Sequence, residues 1–359
     1  MMTLPHTIGD TPPEEIHLIE DGRGGFLGVI VLHSTVLGPA AGGCRLWHYP
    51  DREALTIDAI RLARGMSYKN AMAGLPFGGG KAVLQCPEGD FDRGALLERF
   101  AEAVERLGGA YVTAEDVGTA VGDMERVRTR TAHVAGLRAA EGMAGGDPSP
   151  WTALGVLEAM RVAVHARLGK DLADVAVAVQ GAGNVGGHLC RLLAAEGARL
   201  IVADADERRA QALAAETGAR VFPAASIAEA DAEVFAPCAL GAVLDRHSIP
   251  RLRAAVVAGA ANNQLATAED GALLHARDIL YAPDYVANAG GIINVAAEYL
   301  GETAGEVEGR VRAIGPRMRA LFERAMREGL PTNIVADRMA RQIMANAAGA
   351  KHAHLVRAA

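Results

Sequence analysis

The feature that most constrains this chain lies between residues 175 and 204. VAVAVQ reads as an apolar, β-branched strand. Gly181-Ala182-Gly183-Asn184-Val185-Gly186 follows it without a gap. NVGGHLCRLLAAEG then reads as a helix stopped at Gly197, and RLIVAD as a second strand closing on Asp204. A G-x-G-x-x-G pattern alone is weak. Strand, glycine turn, helix and second strand in that order, within about 30 residues, is the pattern of a dinucleotide-binding βαβ unit. The three glycines serve different ends. Gly181 permits the tight turn, Gly183 lets the backbone approach a diphosphate, and Gly186 lets the helix pack on the strand. The diphosphate would lie at a helix N-terminus, where free N–H groups and the helix dipole favour an anion. Ala182, Asn184 and Val185 complete the loop. Asp204 is placed to accept hydrogen bonds from ribose hydroxyls and to repel a 2′-phosphate, so NAD is expected over NADP.

The surrounding pattern extends this unit into a domain. VFAPC (234–238), VVAGAA (256–261) and ILYAPDYV (279–286) are further strand-like runs between helical segments. Such alternation signals a parallel, doubly wound sheet. Upstream, EGMAGGDPSP (141–150) has the composition of a linker; Ser149, Pro150 and Trp151 then open a helix expected to run from about Thr152 to Leu168. The fold class expected is therefore α/β in two domains. Residues 1–148, with C-terminal helices at about 331–359, are expected to form a mixed α/β domain. Residues 149–330 form a Rossmann-type NAD-binding domain. Half of the 359 residues are hydrophobic, enough for two cores. In the first domain GFLGVIVLHST (25–35) reads as a strand, GPAAGGCR (38–45) as a turn and GLPFGGG (74–80) as a breaker-rich loop. REALTIDAIRLARGM (52–66) reads as an amphipathic helix with Leu55, Ala59, Leu62, Ala63 and Met66 on one face. KAVLQC (81–86) is a short strand, and YVTAEDVGT (111–119) a strand running into a loop. The tail KHAHLVRAA is expected to fray, its histidines solvated.

Several functions are disfavoured. The formal net charge of −7 argues against nucleic-acid binding. Cys44, Cys86, Cys190 and Cys238 are far apart and form no C-x-x-C pair, so neither a zinc site nor a disulfide framework is expected. The N-terminal MMTLPHTIGDTPPEE lacks the charged and apolar regions of a signal peptide. No apolar run reaches the ~18 residues of a membrane span. A cytoplasmic protein without metal is expected.

Three ionisable residues in the first domain stand in unusual surroundings. Lys69 lies near the end of the amphipathic helix, on the side of Met66. Lys81 follows three glycines and opens an apolar strand. Asp116 ends the strand in TAEDVGT. An ammonium at the start of an apolar run is costly unless it has a partner or a chemical role. Beside a dinucleotide domain the three fit amine oxidation. The substrate carboxylate needs a cation, water attack on an iminium needs a base, and the departing amine needs proton transfer. A lysine near a second cation, and buried, titrates below its usual range and serves as a base. A carboxylate such as Asp116 suits the amino group.

These residues lie in blocks that resemble the glutamate/leucine/phenylalanine/valine dehydrogenases, above all the leucine and phenylalanine branches. GPAAGGCR, GMSYKNAMAGLPFGGGKAVL, TAEDVGT, VFAPCALGAVL, VVAGAANNQ and ILYAPDYVANAGG follow the family's order, and the resemblance spans about residues 25–345. It implies that Lys69 binds the substrate carboxylate, that Lys81 is the catalytic base activating water, and that Asp116 exchanges a proton with the amino group. It also implies that Gly42 and Gly43 line the substrate by backbone, that Thr152 contacts the nicotinamide amide, and that Asn263 lies near the nicotinamide ribose. Two domains with a closing cleft, the first of them for substrate binding and oligomerisation, and a homo-oligomer, dimer or larger, are further implications.

The same resemblance bears on the substrate. Glutamate enzymes carry a lysine where this chain has Ala41 and a serine where it has Val295, so a distal carboxylate would be buried unpaired. Met66, Ala114 and Ile292 are also apolar. A small hydrophobic L-amino acid, exchanged with its 2-oxo acid and ammonia, is expected. Ala41 enlarges the pocket and AANN leans toward phenylalanine and valine types, whereas Ile292 and Val295 look like the leucine type. Leucine or another branched-chain substrate is the first expectation and phenylalanine the alternative. A non-catalytic NAD-binding regulator is the reading from another class, and the intact Lys69, Lys81 and Asp116 argue against it. A hydroxy-acid dehydrogenase would need a catalytic histidine, and His133 in TAHVAGL has no such context.

Overall fold

A computed structural model describes residues 11–239 and 241–358, the last eight by backbone alone. Residues 1–10, most of the segment read as lacking a signal peptide, lie outside the described residues. The chain divides into two compact units. The first comprises the chain up to Gly146, Val295–Ala304 and the chain from Ala340. The second comprises Asp147–Asn294 and Gly305–Met339.

The first unit contains β1 (Glu15–Glu20), β2 (Phe26–Ser34), β3 (Ala40–Ala41), β4 (Cys44–Trp47), α1 (Arg52–Ala73), β5 (Gly78–Gln85), α2 (Arg93–Arg106), β6 (Tyr111–Val112) and α3 (Val121–Arg128). Its mixed sheet has the order β1-β2-β5-β3-β6, with β4 also paired to β5. Side chains alternate across a strand, and β2 is buried on both faces. Val29 and Val31 pack with Val83 against Leu55, Ala59, Ile60 and Ala63 of α1. Ile30 and Leu32 face the other way, into a core with Leu97, Phe100 and Val104 of α2.

Helix α1 starts where Asp51 caps it, its carboxylate accepting from Ala54 N, and stops at Gly74 in the left-handed conformation. It runs seven residues beyond the expected end at Met66, because nothing between Met66 and Gly74 breaks a helix. Two further expectations are corrected. GPAAGGCR is no simple turn: Ala40–Ala41 and Cys44–Trp47 both pair in parallel with β5, on either side of the Gly42–Gly43 pair. The glycines at 78–80 are strand, not loop. A Cβ at Gly78 would lie 1.9 Å from Ser34 O, and one at Gly79 would lie 2.0 Å from Ser67 N. Glycine there permits close packing and breaks nothing.

The second unit contains α4 (Ser149–Leu168), β7 (Ala176–Gln180), α5 (Asn184–Ala195), β8 (Arg199–Ala203), α6 (Glu207–Thr217), β9 (Arg220–Val221), β10 (Val234–Pro237), β11 (Val256–Val257), α7 (Asp270–Ala276), β12 (Leu280–Tyr281) and α8 (Asp284–Ala287). Helix α9 (Gly290–Leu300) passes from the second unit into the first. Helices α10 (Ala304–Arg312), α11 (Ile314–Glu328) and α12 (Thr332–Ala358) follow. Helix α4 begins three residues before Thr152, with Pro150 in its first turn, where a missing N–H costs nothing. The backbone of the tail is helical to Ala358, where fraying was expected.

The sheet of the second unit is wholly parallel, in the order β12-β11-β10-β7-β8-β9. Read from β9, this is the 3-2-1-4-5-6 order of a Rossmann domain, with β7 as its first strand. The order reverses between β7 and β10, the crevice where such sheets bind ligands. Both domain types are thus the expected ones. Among the described residues no helix is long and apolar enough to cross a membrane.

Candidate functional site

In the first unit, β5 carries Lys81 into the interior and the segment after β6 brings Asp116 against it. Lys81 Nζ lies 2.9 Å from Asp116 Oδ2, with side-chain exposures of 6% and 25%. Burial pushes the Lys81 ammonium below the usual lysine range. Asp116 pulls it back, and the charge of Arg45 adds to the lowering. Burial alone would raise the Asp116 carboxyl, but Lys81 and Arg45 outweigh it and hold the group below the usual carboxylate range.

The glycine pair explains how these groups come so close. A Cβ on Gly42 would lie 1.9 Å from Gly80 O and 3.1 Å from Met66 Cγ. One on Gly43 would lie 2.5 Å from Glu115 O and 2.9 Å from Asp116 Cβ. Only bare backbone fits between α1, β5 and the Asp116 segment. Gly42 O accepts from the buried Tyr111 hydroxyl at 2.6 Å, which orients the pair. Met66 faces Gly42, and Lys69, one helical turn on, lies half-buried on the same side of α1. Ala41 and Ala114 are buried beside the pair, Ala114 O accepting from Cys44 N at 2.8 Å. The structure therefore gathers Lys81, Asp116, Gly42, Gly43, Ala41, Met66 and Ala114. Val295, on α9, is half-buried in the same unit, and Ile292 is half-buried on the part of α9 that belongs to the second.

Sequence reasoning missed the support of this cluster. Arg45 Nε donates to Asp116 Oδ2 at 3.1 Å, and its Nη1 donates to Asp58 Oδ2 at 3.0 Å. Asp58 also accepts from the Tyr49 hydroxyl at 2.6 Å and from Arg61. Thr119 Oγ1 accepts from Asp116 N at 2.9 Å and donates to Cys44 O at 2.8 Å, fixing the turn that presents Asp116. The signal was present: Arg45 and Thr119 both lie inside the blocks GPAAGGCR and TAEDVGT. His133 has a structural setting, its Nδ1 lying 3.2 Å from the Tyr299 hydroxyl.

In the second unit the three loop glycines separate by function. Gly181 has φ +106°, and a Cβ there would meet Ala239 Cβ at 2.9 Å. A Cβ on Gly186 would lie 2.0 Å from Gly181 O. A Cβ on Gly183 would meet nothing within 4 Å. Gly181 and Gly186 are thus demanded by packing, while Gly183 borders open space. It stands at the start of α5, whose first turn receives no side-chain cap. Its free N–H groups suit a diphosphate. A cavity of about 510 Å³ opens here, bordered by Asp147, Ala182, Gly183, Asn184 and His188. Asp204 accepts from Ala182 N at 2.7 Å and from Asp206 N at 2.8 Å, so it braces the glycine loop. The residues present fit a dinucleotide. Thr152 lies in the first turns of α4, its hydroxyl bonded to Pro148 O at 3.0 Å, and a Cβ on Gly291 would come within 2.7 Å of that hydroxyl. Asn263 is exposed, with φ +52°, and its carbonyl accepts from Ala242 N at 2.6 Å.

Known proteins share this organisation. Residues 16–133 match the family described as Glu/Leu/Phe/Val dehydrogenase, dimerisation domain. Residues 201–353 match the Glutamate/Leucine/Phenylalanine/Valine dehydrogenase family. The chain is 43% identical to a leucine dehydrogenase of Bacillus subtilis over 330 residues, 92% of this chain and 90% of that protein. It is likewise 43% identical to a valine dehydrogenase of Streptomyces albus, over 93% of each chain. The crystal structure of L-tryptophan dehydrogenase from Nostoc punctiforme superposes with a TM-score of 0.84 at 37% identity, covering 94% of this chain and 97% of that one. With its two domain types, its buried lysine–aspartate pair and these relatives, the chain belongs to the Glu/Leu/Phe/Val family of amino-acid dehydrogenases.

Proposed function

We propose that this protein catalyses the NAD-dependent, reversible oxidative deamination of a hydrophobic L-amino acid, leucine and its branched-chain relatives first, to the 2-oxo acid and ammonia. The observation that carries the reading is the buried Lys81–Asp116 pair set against the Gly42–Gly43 backbone. Named relatives act on leucine, valine and tryptophan, which share an apolar side chain.

Lys69 holds the substrate carboxylate, and Gly42 and Gly43 line the substrate by backbone. NAD is held by Gly181–Gly186, Asp204, Thr152 and Asn263. Bound NAD supplies the acceptor for the hydride of Cα. Lys81, neutral when acting, takes a proton from water as the water oxygen bonds to the iminium carbon. Asp116 accepts a proton from the substrate ammonium and returns it to the amine that leaves as ammonia. A lysine lowered by burial suits the base role near neutral pH, and a carboxylate kept ionised suits the exchange. Asp204 favours NAD over NADP by its charge.

Ala41, Met66, Ala114, Ile292 and Val295 are the apolar selectors of the side chain. None offers a partner to a distal carboxylate, so glutamate is a poor substrate. The small Ala41 supports a second reading, phenylalanine. Self-association as a dimer or larger is supported by the family assignment of residues 16–133 as a dimerisation domain. The test is stoichiometry. L-leucine and NAD should give NADH, ammonia and the 2-oxo acid in equal amounts, and D-leucine none. NADH without ammonia would overturn the reaction type.

A further inference from the structure

Arg45 is tied to the reacting pair, yet nothing in the reaction outlined above uses it. Lys81 and Arg45 both reach the same oxygen, Asp116 Oδ2, at 2.9 and 3.1 Å. The other oxygen, Oδ1, takes no protein hydrogen bond among the described residues, and the side chain keeps a quarter of its surface open. Two cations thus hold one oxygen and leave the second for a ligand. Arg45 is itself held, its Nη1 by Asp58, which Tyr49 and Arg61 bind in turn. Arg61, Asp58, Arg45, Asp116 and Lys81 thus form a chain of alternating charge.

We infer that Arg45 is a positioning residue for the deamination: its bond to Asp116 Oδ2 keeps that carboxylate ionised and aimed by Oδ1 while Lys81 loses and regains its proton. The inference rests on the roles proposed above for Lys81 and Asp116. The physical need is specific. When Lys81 is neutral, the buried Asp116 loses its nearest cation, and burial would then favour a protonated carboxyl. The lysine proton would have moved to the aspartate, leaving no acceptor for the substrate ammonium. A guanidinium stays charged at every working pH, so it prevents this transfer, and its charge also discourages protonation of Lys81. The other ionisable groups of the cluster do not substitute. Lys69, on α1, is assigned to the substrate carboxylate. Cys44, on β4, and Tyr111, on β6, have their acid groups pushed up by burial and stay neutral. Asp58, on α1, is an anion.

The test is the pH profile of kcat/KM for R45Q, R45K and K81M with L-leucine and NAD, with thermal melting and NADH binding measured on each. R45Q should move the ascending limb about one pH unit higher, with about a tenfold loss at neutral pH. R45K, which keeps the charge, should return the limb to its wild-type position. A loss in R45Q that is equal at every pH, or an R45K profile matching that of R45Q, would overturn the proposal. Should R45Q not fold, D58N carries the test. It keeps the Arg45 charge and removes its anchor, so kcat should fall about tenfold with the limb in place, and an unchanged kcat would overturn the proposal. K81M separates the two layers. Activity within tenfold of wild type would remove the Lys81 role and this proposal with it. An inactive K81M beside an unshifted R45Q would remove the Arg45 role alone.

Discussion

Lys81 is the more deeply enclosed partner of its 2.9 Å ion pair with Asp116, at 6% exposure against 25%. The asymmetry sets the sign of the pH response. Burial penalises the ammonium more than the pair restores it, so Lys81 titrates below free lysine. Activity should rise with pH through this lowered value, and kcat/KM should show its ascending limb below the usual lysine range. A limb at or above that range would contradict the assignment of Lys81 as base. The linkage to stability runs the same way. The unfolded chain binds the lysine proton more tightly, so the Lys81 contribution is unfavourable at low pH and fades as pH rises through the folded value. Asp116 acts at the other end: its contribution is present above the unfolded carboxylate value and is lost as pH falls through the lowered folded one.

Removing either member of the pair should separate chemistry from binding. K81M should lower kcat by about 10²–10⁴-fold, the usual worth of a general base, while NADH binding stays near wild type. D116N should lower kcat by a similar factor and move the ascending limb to lower pH, because the anion that raises the lysine is gone. That shift is opposite in sign to the one expected for R45Q. Steady-state kinetics over pH, with NADH fluorescence titration, checks both.

The loop glycines predict different failures for the same substitution. G186A forces a Cβ to 2.0 Å from Gly181 O, so it should cost about 1–3 kcal/mol of stability, read as a lower melting temperature. G183A meets nothing in the protein and should melt like wild type. It should weaken NAD about tenfold or more, because the methyl takes space the diphosphate needs. Equal NAD affinity in G183A would move the cofactor away from this loop.

Asp204 both braces the loop and carries the charge expected to exclude a 2′-phosphate. D204S should raise the ratio of kcat/KM for NADP over NAD by about tenfold. It should also lower stability by about 1 kcal/mol, because the carboxylate accepts from Ala182 N and Asp206 N. An unchanged cofactor ratio would leave Asp204 as a structural brace only.

Legibility in the sequence followed the range of the interactions. The strand–glycine turn–helix unit at 176–195 was readable because its parts are neighbours in the chain. Lys81 stood out because a charge opening an apolar strand is rare. The glycines at 78–80 were misread as a loop, since glycine reads locally as a breaker. Their reason is the close approach of Ser34 to Gly78 and of Ser67 to Gly79, 44 and 12 residues back in the chain and outside any local window. Arg45 was missed for the same cause: its partners Asp58 and Asp116 are 13 and 71 residues distant. The apolar runs at 256–261 and 279–286 supply only two strand residues each, because pairing with neighbours, not apolarity, decides strand length.

NADH formation at alkaline pH with Leu, Ile, Val, Phe, Trp, Ala and Glu, each with NAD and with NADP, tests the proposed amino-acid dehydrogenase activity. Turnover with NAD is predicted for leucine and its branched-chain relatives, with weaker use of phenylalanine and little with glutamate or with NADP. No turnover with any of them, in protein shown to bind NADH, would contradict the claim and favour an NAD-binding regulator, while good activity with glutamate would contradict the apolar pocket assigned to Ala41 and Val295.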